Sequence, residues 1–189
     1  MLKIAAPLLG LLLALPVSAQ TLQLKPANPQ PSAGSLARGL AVIYAYPSKL
    51  RTIADAKKGL SKGKRGPALA GLSYLDGAEG EIALTSKAAM KVAASIKGYM
   101  KFDAPGTYQL EVISNDGVLL RVGGKQVAFN DGIHACESAG VTSVQVPSAG
   151  WYELEATYFQ RKGTSCLLMD WNKGGGMEPV PDSAFAYKR

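Results

Sequence analysis

The chain has 189 residues, 47% of them hydrophobic and 19% charged, with a net charge of +7. That length holds one domain with a substantial core and excludes two ordinary ones. With 21 glycines and 11 prolines, turns come too often for long helices, and no segment repeats at a fixed period, so solenoids and propellers are excluded.

Met1 to Ala19 reads as a secretory signal: Lys3 at its start, an apolar run from Ile4 to Leu15, then Val17-Ser18-Ala19 as a small-residue cleavage site. The run is short for a hydrocarbon core of about 30 Å, which argues against a transmembrane anchor. No cysteine follows it, which argues against a lipid anchor. The expected mature chain starts at Gln20, in the periplasm or outside the cell, with a net charge of +6 once Lys3 is removed.

Residues 20–37 (with KPANPQPSAGS) are polar and proline-rich, and read as a flexible lead. The domain is expected over 38–187, opening with a strand in GLAVIYAY. Leu50, Ile53, Ala54 and Lys57 fall at helical spacing within Ser48–Lys58, and Gly59–Gly66 ends that helix. Lys57, Lys58, Lys62, Lys64 and Arg65 crowd the stretch AKKGLSKGKRG. Such a run attracts polyanions, but it reads first as a solvated loop. Nucleic acid is disfavoured as a partner, because no aromatic residue interleaves with the charges.

Leu69–Tyr74 and Glu81–Thr85 read as strands. Ser86–Ser95 (SKAAMKVAAS) has a helical composition that would also suit a poor edge strand. From Gly106 the pattern sharpens. Tyr108, Leu110 and Val112 alternate with Gln109 and Glu111, Asn115-Asp116-Gly117 makes a turn, and Leu119–Val122 returns to a tight Gly123-Gly124 turn before Val127–Phe129. Val141–Val146 is a further strand. Trp151–Phe159 is the clearest, with Tyr152, Leu154, Ala156 and Tyr158 on one face and Glu153, Glu155 and Thr157 on the other. Cys166–Trp171 returns after a loop at Gln160–Thr164, and Pro179 and Pro181 break the tail. The fold class is all-β, a two-sheet antiparallel β-sandwich with short helical pieces in its N-terminal part.

Cys136 and Cys166 are the only cysteines. An even count in an oxidising compartment predicts a disulfide, and closing ~30 residues contributes about 3–4 kcal/mol in the chain-entropy model. His134 is the only histidine, so triads and dyads would depend on it alone. The Glu153 and Glu155 carboxylates point outward from one strand. The chain reads as non-enzymatic.

The stretches Gly98 to Phe102, PGTYQLEVISNDGVLLRVGGKQV, AGWYELEATYF, LLMDW and PVP occur in that order. Together they resemble the β-sandwich family named after the N-terminal fragment of anthrax protective antigen, shared with flocculin-type adhesins and some glycosidases. In its lectin-like members two adjacent acids, joined by a cis peptide, hold a calcium ion that coordinates sugar hydroxyls. The resemblance places Asn115 and Asp116 there, with Gln160 and the carbonyls of Lys162 and Thr164 as further ligands. This sequence departs from that set. Asp116 is its single carboxylate, Arg161 and Lys162 add positive charge to the loop, and Gly123 stands where an aspartate is usual. Calcium prefers several charged oxygens, so the departures weaken a metal site, and Asn-Asp-Gly is also an ordinary turn former. Two readings follow. One is a lectin-like module for a cell-envelope polysaccharide, neutral or acidic, with Arg161 and Lys162 as extra contacts and Phe129 or Phe159 as stacking rings. The other is a structural or protein-interaction domain with neither sugar nor metal.

Overall fold

The computed structural model describes residues 20–75 and 77–189; Met1–Ala19, read above as a targeting segment, lie outside the described residues. The first half carries β1 (Leu22–Gln23), β2 (Leu36–Arg38), β3 (Ala41–Ala45), α1 (Ile53–Leu60), β4 (Lys64–Arg65), β5 (Ser73–Tyr74) and β6 (Val92–Phe102). The second carries β7 (Gly106–Asn115), β8 (Val118–Val122), β9 (Lys125–Asn130), β10 (Glu137–Val146), β11 (Gly150–Gln160), β12 (Cys166–Asn172), β13 (Glu178–Pro179) and β14 (Phe185–Lys188). Single 3-10 turns lie at Ala33–Ser35 and Asp182–Ala184.

These strands form the two sheets of a β-sandwich. One runs β1-β10-β7-β12-β13, with β5 also on β12. The other runs β2-β14-β6-β11-β8-β9, with β3 on β6 and β4 on β3. The alternation in β11 becomes burial: Tyr152, Leu154 and Tyr158 are fully buried between the sheets, while Glu153 and Glu155 face solvent. In β12, Leu167, Met169 and Trp171 face the same core. Gly123 and Gly124 both take positive φ (53° and 76°) in the β8–β9 hairpin, the conformation glycine reaches without steric cost.

Several elements differ from the expectation, each for a reason of context. The helix starts at Ile53 rather than Ser48, because the Thr52 side chain accepts the Asp55 N–H and caps it there. It also runs through Gly59, where a Cβ would stand 2.9 Å from the Pro47 ring. The end of Ser86–Ser95 belongs neither to a helix nor to an edge strand. From Val92 it is β6, a central strand bonded to β11 on one side and to β3 and β14 on the other. Its alternation is hidden because both faces are covered. Val92, Ala94 and Ile96 face the sandwich core, while Ala93 lies in a second cluster with Leu50, Ile53, Ala56 and Phe159, beneath α1. Glu81–Thr85 is turn rather than strand, and of the Leu69–Tyr74 stretch only Ser73–Tyr74 is a strand, with Leu69 making a single antiparallel bridge to Leu40.

Both ends of the described residues also enter the sheets. Residues 20–37 are not a loose lead. Leu22 and Gln23 pair with Val144 and Gln145, Leu24 and Ala27 are buried, and the Ala27 N–H donates to the Trp151 carbonyl at 2.8 Å. Beyond the prolines of the tail, Phe185–Lys188 forms a strand between β2 and β6, with Phe185 in the core.

Candidate functional site

β7, β11 and β12 are the strands that position the site. β7 ends at Asn115, beside the last residues of β11 and opposite Cys166, the first residue of β12. The Asn115–Asp116 peptide is cis. The Asp116 N–H donates to the Phe159 carbonyl at 3.0 Å, and the Phe159 N–H donates to the Gly117 carbonyl at 2.9 Å. These bonds stitch the turn to the end of β11, so that Gln160 follows beside Asp116.

Buried polar groups gather here. Ser114, Asn115, Asp116 and Gln160 are the buried polar residues among the described ones, at 0%, 7%, 1% and 0% exposure. The Asp116 carboxylate ties two further loops to the turn. Its Oδ2 accepts the Arg161 N–H at 2.6 Å, and its Oδ1 accepts the His134 N–H at 3.1 Å. Burial pushes its pKa above the ordinary 3.8, and the two N–H donors offset part of that rise. The Ser114 hydroxyl donates to the Asp116 carbonyl at 2.8 Å, and the Tyr158 hydroxyl donates to the Asn115 carbonyl.

The side-chain amides are only half satisfied. Gln160 Nε2 donates to the carbonyls of Gly163 and Thr164 at 3.1 and 3.3 Å, folding the 160–165 loop inward. Asn115 Nδ2 stands 3.5 Å from Thr164 Oγ1. Asn115 Oδ1 and Gln160 Oε1 are buried without a hydrogen-bond partner among the described residues. An unpartnered buried acceptor costs about 1–3 kcal/mol, so two of them on adjoining strand ends mark a place where donors or a cation are wanted.

The disulfide holds one wall of the site. Cys136 and Cys166 are bonded, with Cα atoms 6.0 Å apart. The bridge pins the loop carrying His134 to the strand facing Asn115. At the start of that loop, Asp131 Oδ1 accepts the Ile53 N–H at 2.7 Å, linking it to the first turn of α1. Asn130 Nδ2 donates to Glu137 Oε1 at 3.1 Å, and His134 Nδ1 lies 3.5 Å from the same oxygen.

The structure thus brings Asn115, Asp116 and Gln160 together and adds the main chain of Arg161. The Lys162 side chain is exposed on the loop. Phe159 is fully buried under α1 and cannot stack on a ligand, whereas Phe129 is 51% exposed at the end of β9. Sequence reasoning missed Ser114, Tyr158 as a hydroxyl donor, and the His134 N–H. The alternation put Tyr158 on the inner face, but nothing in it shows what its hydroxyl meets.

Comparisons with known proteins agree with this architecture. A PA14 domain profile matches residues 80–184. Comparison with curated protein sequences found no match. Among solved structures, the PA14 domain of the MpAFP antifreeze protein superposes with a TM-score of 0.67 at 17% identity, covering 85% of this chain and 96% of that one. A PA14 sugar-binding domain from an RTX adhesin gives 0.61 at 16% identity, covering 79% and 98%. The Epithelial Adhesin 9 A domain of Candida glabrata, in complex with Galb1-3GlcNAc, gives 0.68 at 13% identity, covering 89% and 97%. The matched profile spans more than half of the chain, and the ordered hairpins and two-sheet topology agree with it: the chain belongs to the PA14 domain family, that of the anthrax protective antigen fragment.

Proposed function

We propose that this chain is an exported, non-catalytic, lectin-like module that binds a carbohydrate at the Asn115–Asp116 turn, with calcium assisting. The observation that carries the reading is the pair of unpartnered buried oxygens, Asn115 Oδ1 and Gln160 Oε1, beside a buried carboxylate. The sugar-binding adhesin domains that share the fold, one of them in complex with Galb1-3GlcNAc, support glycan as the ligand class. The disulfide supports export to an oxidising compartment, and 38–187 remains the proposed extent of the sandwich proper, with the lead as its N-terminal strap.

The donor set fits calcium as a weak site. Asn115 Oδ1, Gln160 Oε1 and Asp116 supply hard oxygens. Each Asp116 oxygen accepts one N–H, and a carboxylate offers about four lone-pair sites in all. With one formal charge and few protein ligands, affinity belongs in the range of extracellular calcium modules, about 10⁻⁴–10⁻³ M. Bound there, calcium would supply positive charge to orient sugar hydroxyls. The chain's own part is to hold the three oxygens in place and to exclude bulk water by burial. A second reading, that Asp116 only ties three loops together in an interaction domain, is favoured by its two main-chain bonds.

A glycan array with calcium and with chelator separates the two. Glycan signal that needs calcium and falls at least tenfold in Asp116→Ala supports the lectin reading, since tenfold corresponds to about 1.4 kcal/mol. Signal that the variant leaves untouched supports the interaction domain.

A further inference from the structure

The chain's net charge is concentrated on one surface element. Between Lys49 and Arg65 lie seven cationic residues against one acid, Asp55, a net of +6 out of the whole chain's +7. The stretch is an ordered helix–turn–strand unit rather than a loop: α1, a turn at 61–63, and β4 paired to β3. Asp55 is already committed to Lys49 at 3.6 Å. Lys57, Lys58, Lys62, Lys64 and Arg65 are all exposed, and among the described residues none has an acidic partner. Five unpaired cations held on one rigid unit repel one another, and their shared potential favours a partner that carries several negative charges at once.

The unit also adjoins the candidate sugar site. The first turn of α1 is bonded through Asp131 to the loop whose His134 N–H reaches Asp116. Its buried face rests on Phe159, the residue before Gln160. Lys57 and Lys58 follow Ile53 by four and five residues in α1, about 6–8 Å along the helix axis from the turn that Asp131 holds.

We propose that the α1–β4 unit is a docking surface for an acidic polysaccharide, which runs along the cations while one of its residues occupies the Asn115–Asp116 site. This rests on the lectin reading for the second contact only. A hydrated polymer fits better than a lipid surface. The apolar face of α1 is already buried in the protein, and only Ile43, opposite Arg65, and Tyr46 are exposed large hydrophobics beside the unit, far less than the continuous apolar face with which an interfacial helix enters a bilayer.

The test uses the purified protein, with polygalacturonate as the acidic polymer, dextran as a neutral control and phosphatidylglycerol vesicles as the lipid arm. Polygalacturonate should bind, dextran should not, and affinity should fall steeply as salt rises, because counterions are released on binding. The variant Lys57→Gln, Lys58→Gln, Lys62→Gln, Lys64→Gln, Arg65→Gln should lose at least tenfold in affinity. Lys62→Gln, Lys64→Gln, Arg65→Gln, which leaves the helix untouched, should lose part of that. Unchanged polymer binding in either variant, or binding to vesicles without binding to polygalacturonate, overturns the proposal. The lectin reading fails separately, if Asp116→Ala leaves affinity for array glycans intact while the cation variants still lose polygalacturonate.

Discussion

The two ends of the sandwich are built by the same strands and closed in opposite ways. β7 begins at Gly106 beside an aromatic cluster and ends at Asn115 in the polar site; β11 and β12 span the same distance. At the aromatic end Phe102 packs edge-on against Tyr108 and Tyr152, with ring centroids 4.9 and 5.1 Å apart. Its polar handles are satisfied: the Tyr108 hydroxyl donates to the Ala104 carbonyl, Tyr152 to Ser148, and Trp171 Nε1 to Glu178. The other end buries a carboxylate and two amides and leaves Asn115 Oδ1, Gln160 Oε1 and His134 Nε2 without partners among the described residues. One end supplies stability. The other sets aside interaction capacity that a ligand can fill.

Breaking the closed end should have the largest effect. Phe102 is fully buried, and Phe102→Ala is expected to cost about 3–5 kcal/mol. Urea denaturation would report that loss, with glycan affinity per folded molecule unchanged. Removing the staple of the open end comes next. Cys136→Ser with Cys166→Ser, whose separation is 30 residues, should cost about 3–4 kcal/mol by the chain-entropy model. Unlike the Phe102 change, it should also weaken glycan binding, because the loop presenting the His134 N–H is released.

The contrast between the ends also explains what could be read from sequence. The aromatic end and the hairpins were legible because each strand there has one buried face, as in Tyr152, Leu154 and Tyr158. β6 was not legible, since α1 covers its outer face and turns Ala93 into core. The same cover removes Phe159 from the list of stacking rings. Phe185–Lys188 is too short and too close to prolines to carry a strand signal, and its pairing with β6 is purely tertiary. Asn115, Asp116 and Gln160 were reached through family resemblance. The residues that hold them, Ser114, Tyr158 and His134, act through a hydroxyl or a main-chain N–H, which no spacing reveals.

Acid should move the two properties of the open end apart. Burial raises the Asp116 pKa above 3.8, so the folded state binds its proton more readily than the unfolded one. As pH falls from that raised value towards 3.8, wild type should gain stability relative to Asp116→Asn. Over the same range it should lose calcium and glycan affinity, because the protonated carboxyl no longer offers a charged ligand. Paired denaturation and binding curves across pH would check both signs; parallel changes would contradict the assignment. The smallest effect concerns the loop charges. Arg161→Ser with Lys162→Ser keeps the main-chain N–H to Asp116 and removes cations beside the site. It should strengthen calcium binding a few-fold, since surface charge interactions contribute about 0.2–1 kcal/mol. Calorimetry with calcium alone would read it.

If ligand engages the two unpartnered amide oxygens, Asn115 Oδ1 and Gln160 Oε1, an NMR titration of the Asn115 and Gln160 side-chain amides will report it. Calcium followed by a bound array glycan should shift both NH₂ pairs together, with one midpoint, and Asp116→Ala should abolish the shift. Both amides standing still while the protein binds its glycan would place recognition elsewhere on the sandwich.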